Sequence, residues 1–236
     1  MPGLVDSAAA ILASAERRLE ASAQNVANAS TSGFKRQVNF AEVLGAANNA
    51  DGLLPTQKSY VDFTQGRLAE TGSPFDLAIN GPGLLRLREG EAYVYARGGS
   101  FALNEDGLLA DASGRVLQQA GGGDLALAGT SFGVLADGTV LEDGLPTARI
   151  GLYETSDPAA LSALGGATFT AAEPAMAEAE ASQIRQGFLE KSNVTMSDEM
   201  VAMMASLRQA ESGGRVMQFY DELIGQAITT FSRSGR

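Results

Sequence analysis

Val5-Asp6-Ser7-Ala8-Ala9-Ala10-Ile11-Leu12-Ala13-Ser14-Ala15-Glu16-Arg17-Arg18-Leu19-Glu20-Ala21-Ser22-Ala23-Gln24-Asn25-Val26-Ala27-Asn28-Ala29 places small or apolar residues at Val5, Ala8, Leu12, Ala15, Leu19, Ser22, Val26 and Ala29. Steps that alternate between three and four residues put all of these on one helical face, so the stretch reads as an α-helix with a heptad seam. The larger members, Leu12, Leu19 and Val26, recur every seven residues with small residues between them, which lets a partner helix come close. Asp6 is placed to cap the start of this helix, and Gly33 to end it in the left-handed conformation with Phe34 packing back.

The other end of the chain repeats the pattern. Met196, Met200, Met203, Leu207, Ala210, Gly214, Met217, Asp221, Ile224, Ile228 and Phe231 again step by four and three, with Asp221 interrupting the seam. Thr195 is the expected N-cap, and Asp198 and Glu199 fall in the first turn, where carboxylates offset the positive end of the helix dipole. Val216, Tyr220, Leu223 and Ala227 form a second apolar stripe in the last turns, so this helix is expected to meet neighbours on more than one side. Gly213 and Gly214 inside it should each weaken the helix by about 1 kcal/mol relative to Ala.

Between the helices the texture changes to short alternating runs punctuated by glycine, the pattern of antiparallel β-structure. Leu85 and Leu87 alternate with Arg86 and Arg88, Tyr93-Val94-Tyr95 is β-prone, and Asp106-Gly107, Ser113-Gly114, Asp137-Gly138 and Asp143-Gly144 signal turns. That spacing predicts a sandwich or distorted barrel. A short helix is expected after it, with Asp157 as N-cap, Pro158 in first position, Leu161 and Leu164 facing inward and Gly165 at the end. Residues 46–54 read as a loop, and 170–182 as a surface segment or a weak helix.

Composition narrows the function. The chain of 236 residues carries a net charge of −11, which opposes binding to nucleic acid or an anionic membrane surface in the absence of a segregated basic patch. It contains no Cys, His or Trp, so Cys/His zinc sites, Ser-His-Asp triads and Cys-His dyads are excluded by inventory. Gly81-Pro82-Gly83 and Gly121-Gly122-Gly123 lack the Lys-Ser/Thr of a phosphate cradle and read as turns. Asn104-Glu105-Asp106-Gly107 lacks the alternating ligands of a calcium loop, and the adjacent pairs Glu105-Asp106 and Glu142-Asp143 sit in turns instead of facing each other across a cleft. No catalytic, metal or cofactor residue is therefore assigned, and no small-molecule substrate or nucleic acid is expected. The N-terminus has no basic n-region, and its apolar run runs directly into Glu16-Arg17-Arg18, unlike a secretory signal peptide or a membrane span.

Gln24-Asn25-Val26-Ala27-Asn28-Ala29-Ser30-Thr31-Ser32-Gly33-Phe34-Lys35-Arg36 resembles the N-terminal signature of flagellar rod and hook proteins, with Asn25, Asn28, Thr31, Gly33 and Phe34 as its marker residues. Gly66-Arg67-Leu68, Thr71 to Gly83, Tyr95 to Phe101 and Asp106 to Leu109 continue the likeness in order. Gln186 to Val194, Glu199-Met200 and Arg208-Gln209-Ala210-Glu211 complete it near the other end. One departure is Leu84-Leu85, where relatives carry paired Phe. The modest length and the ending Tyr220 to Ile228 resemble the proximal-rod subunit most, with the distal-rod or hook-type subunit next.

The resemblance implies an α+β protein: a discontinuous helical coiled-coil domain made by both chain ends, enclosing a β-rich domain. The expected divisions are 1–35 for the first helix, 36–70 for a connecting region, 71–153 for the β-rich domain, 154–194 for a short helix, loop and return strand, and 195–236 for the last helix. It further implies a structural subunit of a hollow, torque-transmitting shaft in the basal body, within the periplasm. Its partners would be copies of itself, other rod subunits and the flagellar type III export apparatus, which passes chains without signal cleavage. Leu12, Leu19, Val26, Met200, Met203, Leu207, Met217, Ile224 and Ile228 are the expected assembly contacts. A carbohydrate-binding or polysaccharide-acting β domain with helical oligomerisation arms is the alternative of another class, and a soluble assembly or cap protein of the same organelle is a third.

Overall fold

The computed structural model describes residues 2–42, 56–171, 176–179 and 181–234. Two long helices, α1 (Pro2–Ala27) and α2 (Met196–Ser234), lie at the ends of the sequence and a β-rich region lies between them, so the fold is α+β. In chain order the strands are β1 (Gln37–Glu42), β2 (Thr56–Val61), β3 (Leu68–Glu70), β4 (Asp76–Asn80), β5 (Leu84–Glu89), β6 (Ala92–Ala96), β7 (Gly98–Leu103), β8 (Leu109–Asp111) and β9 (Val116–Leu117). They continue as β10 (Phe132–Val134), β11 (Thr139–Glu142), β12 (Leu145–Arg149), β13 (Leu152–Glu154), β14 (Leu161–Gly165), β15 (Thr168–Ala171), β16 (Ala177–Glu178), β17 (Gln183–Gln186) and β18 (Phe188–Glu190).

The chain divides into two compact units: residues 1–26, 37–59 and 195–236 form one, and residues 27–36 and 60–194 form the other. In the second, the main sheet runs β14-β15-β6-β5-β9-β8-β7-β4-β17, with β13 paired to β5 and β16. All of its ladders are antiparallel. β10, β11 and β12 form a separate three-stranded sheet, and β18 pairs with β3.

Alternation along β5 shows why this unit folds. Leu85 and Leu87 enter a core with Leu77, Ile79, Val94, Leu109, Leu117 and Ile150. Leu84, on the opposite face, packs with Tyr95, Tyr153, Leu161 and Phe169. Both leucines of the Leu84-Leu85 pair are thus fully buried, one in each core. On the same face as Leu84, Arg86 lies against two rings, 4.7 Å from the centre of Tyr93 and 4.5 Å from that of Tyr153.

The four expected turns join β7 to β8, β8 to β9, β10 to β11 and β11 to β12. In the last, Asp143 and Gly144 both have positive φ (50° and 80°), the requirement of a two-residue hairpin turn whose twist matches its strands.

Several local expectations are corrected. Helix α1 begins at Pro2, so Asp6 lies inside it and does not cap it. It ends at Ala27, so Gly33, although left-handed at φ 74°, belongs to a following turn instead of the helix terminus. The short helix is a single 3-10 turn, Pro158–Ala160, and Leu161–Gly165 is a strand. Asp157 does accept the Ala159 N–H at 3.0 Å, but Leu161 and Leu164, three residues apart, face opposite sides of a strand: Leu161 is buried and Leu164 exposed. The 46–54 loop lies outside the described residues. Of the 170–182 segment, the described parts are the end of β15, Met176, β16, Ala179 and Ala181–Ser182, and they include no helix.

Candidate assembly interface

On α1 the buried positions among the described side chains are Ala8, Ala15, Ala21, Ser22 and Asn25. On α2 they are Glu199, Ser206 and Gly213, seven residues apart. Small residues dominate both faces, and at Gly213 the two helices meet: a Cβ placed there would stand 3.5 Å from the Ala8 carbonyl oxygen and 3.5 Å from Ile11 Cγ2. Gly213 therefore lies at a contact with α1 that leaves room for one more carbon. Further along, Arg18 donates to Gln209 Oε1 at 3.4 Å, so contacts step backwards along α2 as they step forwards along α1. The buried Ser206 hydroxyl is satisfied within its own helix, donating to the Ala202 carbonyl at 2.9 Å.

Leu12, Leu19 and Val26 are half-buried, as are Met203 and Met217. Met200, Leu207 and Ile224 are exposed, and the side chain of Ile228 lies outside the described part of the structure. Exposure extends to Met196, Val201, Met204, Phe219 and Leu223 on α2, with Phe219 66% and Leu223 63% accessible. Of the expected α1 seam the small members Ala8, Ala15 and Ser22 are buried, whereas on α2 the buried repeat, Glu199-Ser206-Gly213, lies one position before the expected Met200, Leu207 and Gly214. The same seven-residue spacing was its only signal.

The signature turn is an internal fastening. Buried Asn25 donates from Nδ2 to the Gln37 carbonyl and accepts the Gln37 N–H at Oδ1, both at 2.8 Å, so its amide mimics a strand partner for the start of β1. Beyond it, Thr31 N–H donates to the Asn28 carbonyl at 3.0 Å, and the Thr31 hydroxyl to Asn28 Oδ1 at 3.2 Å. Gly33 supplies positive φ and donates its N–H to the Glu190 carbonyl at 2.7 Å. Phe34 is buried at 2% exposure.

Lys35 and Arg97, both buried, meet the carboxylate of buried Glu190: Lys35 Nζ lies 2.5 Å from Oε1 and Arg97 Nε 3.0 Å from Oε2. Gly66 N–H donates to Oε1 at 2.7 Å, and Lys35 Nζ also donates to the Thr64 carbonyl at 2.7 Å. Arg97 also donates from Nη1 to the Gly83 carbonyl and from Nη2 to that of Ile79. Burial pushes the Lys35 ammonium below its ordinary pKa, opposed by the hydrogen bond and charge of Glu190 and reinforced by the nearby Arg97 charge. Close packing continues at Gly66, where a Cβ would fall on the Lys191 carbonyl. Asn193 completes the fastening, accepting the Arg36 N–H at 2.8 Å and donating to the Asp62 carbonyl at 2.8 Å.

Among the described residues no cluster of acidic side chains is arranged to hold a metal, and no helix is long and apolar enough to cross a membrane.

Residues 185–230 match the family model described as flagellar basal body rod FlgEFG protein C-terminal. The flagellar basal-body rod protein FlgF of Rhizobium meliloti is 31% identical over 93% of this chain and 93% of its own length. The FlgF protein of Caulobacter vibrioides is 32% identical over 90% of this chain and 91% of its own. The chain belongs to the flagellar basal-body rod protein family. The rod protein FlgG of Borreliella burgdorferi is also similar, at 25% identity over 94% of this chain and 96% of its own. In this rod family member, then, the signature turn is occupied with holding its own chain together, and most of the exposed large apolar residues among those described lie on α2.

Proposed function

We propose that the chain is a structural subunit of the flagellar rod that assembles through its terminal helices, most similar to the FlgF type and so placed in the proximal rod. The observation that carries the reading is the run of exposed large apolar residues on α2, Met196, Met200, Met204 and Leu207 with Phe219, Leu223 and Ile224. Exposed large apolar residues grouped on one helix in this way mark association. In this reading α1 and α2 form an antiparallel coiled pair closed at Gly213, and the exposed face of α2 meets the helices of neighbouring copies and of other rod subunits. Such contacts are heterologous and propagate as a helix instead of closing into a dimer. The β-rich unit forms a stiff outer layer, the shaft lies in the periplasm, and the chain reaches it through the flagellar export apparatus with no signal cleavage. Of the relatives described, those named FlgF are 31–32% identical and the FlgG protein 25%, which favours the proximal position.

The test is complementation with a tagged chain in cells lacking it, followed by purification of basal bodies. The chain is expected to restore swimming and to remain with the rod after hook and filament are removed. Recovery of a swimming-competent chain only in the soluble fraction would point to an assembly factor instead.

A further inference from the structure

Glu190 neutralises two buried cations that the chain supplies far earlier, Lys35 at a separation of 155 residues and Arg97 at 93. Besides its carboxylate, the same short segment supplies the carbonyl that receives Gly33 N–H, strand β18 for β3, strand β17 for β4, and Asn193 for Arg36. Without Glu190 the ammonium and guanidinium would lie inside the protein without the carboxylate that pairs with both, leaving Lys35 only the more distant charge of Asp62, an arrangement that is strongly unfavourable. We infer that Lys35, Arg97 and Glu190 form a charge gate on folding: the two early cations hold the β-rich unit open until the segment 183–193 arrives and closes it.

A chain that emerges N-terminus first therefore stays unfolded in this unit until nearly all of it has been delivered, because burying Lys35 beside Arg97 is uphill until then. The inference concerns folding order only and stands independently of where the subunit is placed in the rod.

The test is refolding of the full chain by stopped flow, with equilibrium unfolding alongside, for wild type, Glu190→Gln and Glu190→Gln/Lys35→Met. Leaving the two cations without their carboxylate is expected to lower the folding equilibrium constant about 100-fold or more. The loss should appear mainly as slower folding, because the gate closes before the core can form. Removing the Lys35 charge in the same background should recover at least about tenfold of the folding rate. An effect confined to the unfolding rate would overturn the inference, since the core would then form before Glu190 engages. It also fails if Glu190→Gln does not fold and Lys35→Met restores nothing.

Discussion

Gly213 and Gly214 are adjacent in α2 and equally poor helix formers, yet their surroundings predict different responses to a large side chain. Nothing lies within 4 Å of a Cβ placed on Gly214, whereas one on Gly213 meets the Ala8 carbonyl and Ile11 at ordinary contact distance. Gly214→Ala should therefore stabilise the protein by about 1 kcal/mol, the full helix-propensity difference. Gly213→Ala should also be tolerated, because 3.5 Å needs no adjustment of α1. Gly213→Leu gains a similar propensity term, but its added carbons must occupy the space of the Ala8–Leu12 backbone, and overpacking of this kind costs about 1–3 kcal/mol. The net change is a loss of up to about 2 kcal/mol. Urea unfolding followed by circular dichroism at the helical band, with the slope checked for constancy, reads the difference directly. A Gly213→Leu protein that gains stability as Gly214→Ala does would refute the contact of the helices at that residue.

In the β-rich unit, Leu85 is fully buried in the larger core, so Leu85→Ala should cost about 2–5 kcal/mol in equilibrium unfolding. A value under about 1 kcal/mol would mean that this face of β5 is not packed as described. Asp124 has its carboxyl held below the ordinary value of 3.8 by its pairing with Arg88, at 2.6 Å, and by Gln118. Its folded-state pKa is depressed, so its contribution is complete above the unfolded value and fades as pH falls through the folded one. Asp124→Asn should accordingly be slightly less stable than wild type near neutral pH, by under about 1 kcal/mol for a partly exposed pair, with the gap closing in acid. A gap that widens on acidification would contradict this.

Much of the architecture was legible because it rests on local periodicity. The heptads at both ends became α1 and α2, the Leu/Arg alternation became β5, and every Gly turn that the spacing marked between residues 106 and 144 joins two strands. Leu161 and Leu164 failed as helix markers because a three-residue step fits a helix face, while neighbouring β15 recruited the segment into the sheet. The fastening was hidden for a different reason. Lys35, Arg97 and Glu190 are ordinary surface residue types, and only tertiary structure brings them together across 155 residues. Gly213 reads as a weakness of the helix, and its contact with α1 belongs to a partner that local pattern does not specify. The signature residues Asn25, Gly33 and Phe34 stand out in sequence, but their work is internal: an amide bonded to Gln37, a left-handed turn and a buried ring.

Assembly through the exposed face of α2 is the central claim, and the double variant Met200→Glu/Leu207→Glu tests it most directly. Both side chains are about half accessible, at 47% and 48%, so the charges should leave the fold of the isolated chain unchanged while opposing burial against a neighbour. The measurement is the amount of the chain in purified basal bodies, alongside its thermal unfolding and its export. The account predicts a normally folded, exported chain that is missing from rods in non-swimming cells; normal incorporation with normal swimming would contradict it.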